Sequence, residues 1–296
     1  MYFICYMKNT FALQADPLVQ TKRRHRKLIA FGWYGGKYSH LKWLAPLLPH
    51  THNFCEPFAG SAAVLLNREP SKVETYNDLD GEVVNFFREL RDNHDQLIKA
   101  ISLTPFSREE FALACEFETV NVSSLERARR FYVRARQVRT GLAQTASVGR
   151  WANCKGTSRA GMSGAVSRWL GGVDMLESIA ERLLRVQIEN RPAIQVIKTY
   201  DAEETLFYCD PPYLHSTRGD KNAYKFEMTD EEHLALAKTL NQVKGLVAFS
   251  NYDSDFFDDV FPQDKWFKTY APEKTIHSTK QKRQEVLWTN YDPKQI

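Results

Sequence analysis

The sequence contains no apolar run approaching the roughly 18 residues that a membrane-crossing helix needs, so no membrane association is expected. It also has no CxxC pair. Its five cysteines stand far apart, at positions 5, 55, 115, 154 and 209. An odd and scattered set excludes a disulfide framework and a structural zinc site, and no metal is expected. No repeat at solenoid periods is visible. The N-terminal MYFICYMKNT has no basic region before its apolar stretch and no small-residue cleavage site after it, so a secretory leader is not expected and the cytoplasm is the expected compartment. Disorder is excluded by 43% apolar residues and a near balance of 40 basic against 36 acidic side chains. A chain of 296 residues is long enough for one large domain or for a main domain with a smaller partner.

Acid is scarce in one stretch. Residues 121–170 carry Arg127, Arg129, Arg130, Arg134, Arg136, Arg139, Arg150, Lys155, Arg159 and Arg168 against the single Glu126, a net of +9 in a chain whose total is +4. A solvated helix face normally mixes signs, whereas a face of one sign repels itself and makes sense opposite a polyanion. The run KRRHRK (22–27) closes an N-terminal tail, 1–27, that is either plain or touches phosphates.

From residue 28 the pattern alternates. HNFCEPF (52–58) and KVETYNDLD read as strands, and GSAAVLLNR and GEVVNFFRELRDN as helices, which implies a parallel sheet. The stretch 88–185 differs. SREEFALACEFE and SSLERARRFYVRARQVR read as helices, the second entered through a capping box of Ser123 and Glu126. No strand alternation is visible there. Seven of the 14 glycines fall between 141 and 172, which reads as a long, mobile, basic loop. DMLESIAERLLRV (174–186) is amphipathic and leads back to the alternation. TLFYCD (205–210) reads as a buried strand, TDEEHLALAKTLNQV as a helix capped by Thr229 and Glu232, GLVAFSNY as a strand, DSDFFDDVF as a helix, and KWFKTY and QEVLWTN as closing strands. The expected division is therefore a catalytic α/β domain of 28–87 and 186–296, interrupted by a helical, basic insert of 88–185.

Two segments carry chemistry. Glu56-Pro57-Phe58-Ala59-Gly60-Ser61-Ala62 has the form of a strand, a tight glycine turn and a helix start, which either cradles a nucleotide-like cofactor or is an ordinary turn. Asp78 lies 18 residues beyond Gly60, near the spacing at which an acid caps ribose hydroxyls, and reads equally as a helix cap. Asp210-Pro211-Pro212-Tyr213 is more specific. A carboxylate at the carboxyl end of a buried strand precedes two prolines that fix the backbone and remove two N–H donors, leaving carbonyls exposed beside an aromatic ring. This set suits methylation of an aromatic exocyclic amine. Asp210 and the Pro211 carbonyl can accept its two N–H hydrogens and stabilise the charge that develops as nitrogen attacks a sulfonium methyl, while Tyr213 stacks on the base. A base in a duplex must be flipped out to reach such a site.

With FGWYGGKYSHL (31–41), EPFAGSAAVLLNR (56–68), YNDLD (76–80), RARQVRTGL (134–142), YCDPPY (208–213), FSNYDS (249–254) and QEVLWTN (284–290) in that order, the chain resembles the Dam-type (alpha-group) adenine-N6 DNA methyltransferases from about residue 30 to its end. The resemblance implies a Rossmann-like α/β sheet with an inserted, mainly helical target-recognition domain. It implies site-specific methyl transfer from S-adenosyl-L-methionine (AdoMet) to a flipped adenine in double-stranded DNA, with S-adenosyl-L-homocysteine as product, in a bacterial or phage-infected cell. A cognate restriction endonuclease is a candidate partner. Trp33 and Lys37 would line the cofactor pocket, with Gly35, Gly36, Glu56, Pro57, Phe58, Gly60 and Ser61. Asp78 would hold the ribose, and Asp210 would serve cofactor and amine alike. Ala62 stands where the family often has glycine. A hairpin of the recognition domain implies Arg134, Arg136, Arg139, Thr140, Leu142, Gln144, Arg150 and Lys155 near DNA, where Gln could read adenine and Arg guanine. The competing readings are a nucleic-acid-binding module without activity, an RNA or protein methyltransferase, and cytosine-N4 chemistry.

Overall fold

A computed structural model describes residues 27–117, 121–139, 143–215, 226–272 and 284–296. Its strands are β1 (Asn53–Glu56), β2 (Val73–Asn77), β3 (Ser158–Arg159), β4 (Met162–Ser163), β5 (Val186–Glu189), β6 (Thr205–Cys209), β7 (Leu246–Tyr252), β8 (Phe267–Tyr270) and β9 (Glu285–Thr289). Seven of them form one sheet in the order β5-β2-β1-β6-β7-β9-β8. All neighbours are parallel except β9, which runs antiparallel to both β7 and β8. The fold is thus the Rossmann-like α/β class. A sheet covered on both faces needs strands apolar on both sides. The central β6 meets this, for all five of its residues are buried. Its alternate residues enter two cores, Leu206 and Tyr208 on one face and Phe207 and Cys209 on the other.

The helices are α1 (Leu41–Leu44), α2 (Ala63–Asn67), α3 (Gly81–Asp92), α4 (His94–Ser102), α5 (Arg108–Ala114), α6 (Ser124–Gln137), α7 (Gly164–Val173), α8 (Leu176–Leu183), α9 (Ala193–Tyr200), α10 (Asp230–Leu240) and α11 (Asp255–Val260). The capping box of α10 forms in both directions, Glu232 N donating to Thr229 Oγ1 (3.2 Å) and Thr229 N to Glu232 Oε2 (2.8 Å). At α6 only half of it forms. Glu126 N donates to Ser123 Oγ, but the Glu126 carboxylate is drawn to Arg129 and Arg130. No described helix is long and apolar enough to cross a membrane.

The insert departs from its sequence reading in three ways. The glycine-rich stretch contains a hairpin of β3 and β4 and then helix α7, because Ala165 and Trp169 form a buried face and Ser163 caps the first turn. A glycine count hides that spacing. The division at 87/88 falls inside α3, whose Phe86 stacks on Tyr132 of α6, so one apolar core runs from the sheet into the insert. The arginines of α6 are also less free than their number suggests. Arg127 pairs with Glu82, Arg129 with Glu110 and Glu126, and Arg130 with Glu126, so Glu82 and Glu110 from outside the basic stretch join Glu126 within it in offsetting the charge of this helix. Helices α4 and α9 and strand β5 add to the elements read from sequence. Strand β5 is a short edge strand whose mixed residues VQIE give little alternation.

One buried ion pair ties the insert to the sheet. Glu74 on β2 is 1% exposed and receives both ends of the Arg182 guanidinium on α8, at 2.6 and 2.7 Å, while Arg182 also donates to Leu65 O (2.9 Å). Removing one partner of such a pair strands a buried charge. Arg182→Met is expected to cost about 3–5 kcal/mol in urea unfolding, and Glu74→Leu in the same chain to recover most of it. A loss below about 1 kcal/mol would show that the pair is not stabilising.

Candidate active site

The strand order reverses between β1 and β6, which opens a crevice at their carboxyl ends. Glu56 ends β1 and Asp210 follows β6, so both carboxylates are delivered to that crevice by strands hydrogen-bonded to each other. A cavity of about 260 Å³ lies there. Trp33, Gly36, Lys37, Glu56, Pro57, Phe58, Ser61, Asp78, Asp210 and Pro212 line it.

Backbone geometry builds the cradle. Gly60 has φ +48°, and a Cβ there would run into the Trp33 indole, so only glycine lets the two loops meet. Asp78 Oδ2 accepts from Gly60 N (2.8 Å) and Oδ1 from Asp80 N (2.8 Å), fixing the turn across 18 residues. Gly35, also at positive φ, and the Gly36 N–H bond to Trp33 O (3.0 Å) fold the WYGGK loop over the crevice. Ala62 occupies the left-handed region (φ 56°, ψ 29°) at the N-cap of α2, where an L side chain is strained by about 1–2 kcal/mol. Glu56 Oε2 accepts from Leu65 N (3.0 Å), anchoring the same helix start.

Lys37 is the electrostatic centre. Its side chain is 3% exposed, and its Nζ donates to Asp210 Oδ1 (2.7 Å), Tyr213 Oη (2.7 Å) and Gly35 O (3.1 Å), with Glu285 Oε1 at 3.3 Å. Burial would lower its pKa, but Asp210 and Glu285 together hold it above its ordinary value. Burial pushes Asp210 up to about 6 against the pull of Lys37. It also pushes Asp78 up to about 6, opposed by the Asp80 and Gly60 N–H groups. Glu56 is driven well above the carboxylate range by its burial. The Tyr213 ring packs edge-on against Tyr252 at 4.6 Å, and Pro211 is buried.

The residues expected at DNA are not gathered here as a group. Arg134 is 4% exposed, donates to Ala114 O and faces Glu82, a scaffold position that no phosphate can reach. Arg136 packs on Gly172 and donates to Arg168 O, holding α7 against α6. Gln144, expected near bases or phosphates, lines the cavity and donates from Nε2 to Asp80 Oδ2 (2.7 Å), so it joins the insert to the turn after β2. Arg139, Arg150 and Lys155 are exposed. Thr140 and Leu142 lie outside the described residues. Sequence reading missed Arg191, Pro192 and Ile194 after β5, Met228 and Leu236 at α10, and Glu285. Of these, only Glu285 had a signal, as a lone acid at the head of an apolar strand.

Residues 33–283 match the family described as D12 class N6 adenine-specific DNA methyltransferase. A type II methyltransferase of Lactococcus lactis subsp. cremoris is 28% identical over 286 residues, covering 88% of this chain and 94% of the relative. An rRNA methyltransferase of Streptomyces viridochromogenes, known as a solved structure, aligns over 87% of this chain and 85% of its own at 12% identity, with a TM-score of 0.35. That likeness is too slight to argue from. The family match spans most of the sequence and takes in both the glycine cradle and the Asp210 crevice, and this chain therefore belongs to the D12 class N6 adenine-specific DNA methyltransferases.

Proposed function

We propose that the chain transfers a methyl group from AdoMet to N6 of an adenine flipped out of double-stranded DNA, leaving S-adenosyl-L-homocysteine. The observation that carries this is the carboxylate of Asp210, set at the switch point of the sheet, in the same cavity as Trp33, Glu56 and Asp78 and held there by a buried lysine. The cavity fits the cofactor. The turn at Gly60 admits no Cβ, Asp78 offers a carboxylate for hydroxyls, and Trp33 and Phe58 offer apolar surface. When bound, the cofactor supplies an electrophilic methyl on a sulfonium centre.

The chain's own residues orient and polarise the amine. Asp210 Oδ1 is committed to Lys37, so Oδ2 accepts one N6–H while the Pro211 carbonyl accepts the other. Nitrogen is drawn toward tetrahedral geometry, forms the N–C bond as the C–S bond breaks with its electron pair on sulfur, and then sheds a proton that Asp210 can receive. Pro212 walls the base on one side, and Tyr213 holds Lys37 through its hydroxyl. The insert between β2 and β5 reads the DNA, with Arg139, Arg150 and Lys155 on phosphates or base edges. The enzyme acts in the cytoplasm of a bacterial or phage-infected cell. The type II designation of the Lactococcus relative supports a cognate restriction endonuclease as partner. Sequencing modified bases in DNA from cells that express the chain tests the reading as a whole, and a host genome without new N6-methyladenine refutes it.

Asp210→Ala is expected to lower methyl transfer by at least about 10² to 10³ with an unchanged near-ultraviolet spectrum, because a preorganised acceptor for the developing charge is removed. Retention of more than a tenth of the rate removes the assigned role.

The pH dependence has a defined sign. Protonation takes away the Asp210 charge that stabilises the developing cation and its ability to receive the amine's proton, so activity is present above about 6 and falls as pH drops through that value. Asp78 titrates in the same range, so the acid limb of kcat/KM for the cofactor should be steeper than one proton. Asp78→Asn should return it to a slope of one. A flat profile down to pH 5 would contradict both assignments.

Salt dependence separates the exposed cations from the paired ones. Neutralising Arg139, Arg150 and Lys155 should flatten the log–log salt slope of DNA binding by about 0.9 for each phosphate that the protein no longer neutralises. Neutralising Arg127 and Arg129, which are paired with Glu82, Glu110 and Glu126, should lower stability and leave that slope alone. The opposite pattern in filter binding would move the DNA surface onto α6.

A further inference from the structure

A lysine ammonium has three N–H donors. Those of Lys37 are taken by Asp210 Oδ1, Tyr213 Oη and Gly35 O. Glu285 Oε1 nevertheless sits 3.3 Å from the same nitrogen, buried and without a hydrogen-bond partner of its own among the described residues. Its other oxygen, Oε2, lies 3.1 Å from His40 Nε2 on the turn that follows the WYGGK loop. The Glu285 side chain is 10% exposed, so its charge is poorly screened by water. This carboxylate therefore acts on Lys37 through its charge, and it reaches the site on a strand, β9, that runs against the direction of its neighbours.

We propose that Glu285 is a positioning residue for methyl transfer: it keeps the buried Lys37 ammonium charged and centred between Asp210 and Tyr213, and so holds Asp210 in place for the target amine. This rests on the proposed adenine-N6 reading for its catalytic consequence, and on geometry alone for the charge link. An isolated buried ammonium would lose its proton to escape desolvation, and one carboxylate on one side would pull it off-centre. Two carboxylates, one at 2.7 Å and one at 3.3 Å, hold the cation between them. The groups facing this arrangement are Lys37 and His40 from the N-terminal loop, Glu56 from β1, Tyr208, Asp210 and Tyr213 from β6 and the turn after it, and Glu285 from β9. Among them Lys37 and Tyr213 lower the pKa of Asp210, whereas Glu285 raises it. The sign is fixed by this opposition. Taking the Glu285 charge away makes Asp210 a weaker base.

The test compares Glu285→Gln, which keeps shape and removes charge, with Glu285→Asp, which keeps charge. The first readout needs neither cofactor nor DNA: the carboxyl carbon of Asp210 is titrated by NMR in each protein. The wild-type midpoint should lie near about 6, that of Glu285→Gln at least about half a pH unit lower, and that of Glu285→Asp with the wild type. The second readout is kinetic. Glu285→Gln should lower kcat by about 10- to 100-fold with the KM for AdoMet within about threefold, and its acid limb should move down with the NMR midpoint. An Asp210 midpoint unmoved in Glu285→Gln, or a shifted one in Glu285→Asp, overturns the charge link. The aspartate variant keeps the question open to refutation even if the amide variant does not fold. A kcat loss without movement of the acid limb reduces Glu285 to a structural residue and also overturns the proposal. Wild-type protein that methylates no adenine defeats the adenine-N6 reading instead, while the NMR comparison still decides the charge link.

Discussion

The buried ammonium of Lys37 is the constraint on which the site depends. Three stretches far apart in sequence meet at one nitrogen: the WYGGK loop, the turn after β6 and the head of β9. A charge that is 3% exposed persists only if its partners are in place, so the loop, the central strand and the antiparallel strand must assemble together for any of them to be stable there. The same requirement explains why Asp210 can be both buried and ionised at neutral pH. Its burial raises its pKa, and the lysine limits the rise to about 6.

Around this point the sheet and the insert are less separable than a two-domain description implies. Phe31, Phe86, Phe131 and Tyr132 pack as one aromatic group that joins the loop before α1, helix α3 and helix α6. Arg182 on α8 closes on Glu74 within the sheet, and Gln144 reaches Asp80 at the edge of the cavity. The insert is thereby connected, through packed side chains and short hydrogen bonds, to the residues that line the cavity.

Charge along the chain is resolved differently in space than in sequence. The +9 of residues 121–170 is partly consumed by Glu82, Glu110 and Glu116, which lie outside that stretch and arrive on α3 and on and after α5. What remains exposed is the turn after α6, the hairpin region and helix α7, where Arg139, Arg150, Lys155, Arg159 and Arg168 stand. The surface left for a polyanion is smaller and lies farther along the chain than a count of arginines suggests.

By itself the sequence determined the alternation of strands and helices around a basic insert, the strand-ending Asp210-Pro211-Pro212-Tyr213, the glycine turn at Gly60 and the acid Asp78 that ends the second strand. Each is a local matter of periodicity, backbone conformation or spacing, and is legible in a short window. The tertiary structure alone decided that α7 lies within the glycine-rich stretch, that Arg134 is buried scaffold, that Gln144 faces the cavity and that Glu285 stands beside Lys37. These follow from pairings between residues separated by up to 248 positions, as between Lys37 and Glu285. Apart from the spacing of Ser163, Ala165 and Trp169 in α7, no local pattern encodes them, because burial and the balance of charge are properties of what packs around a side chain.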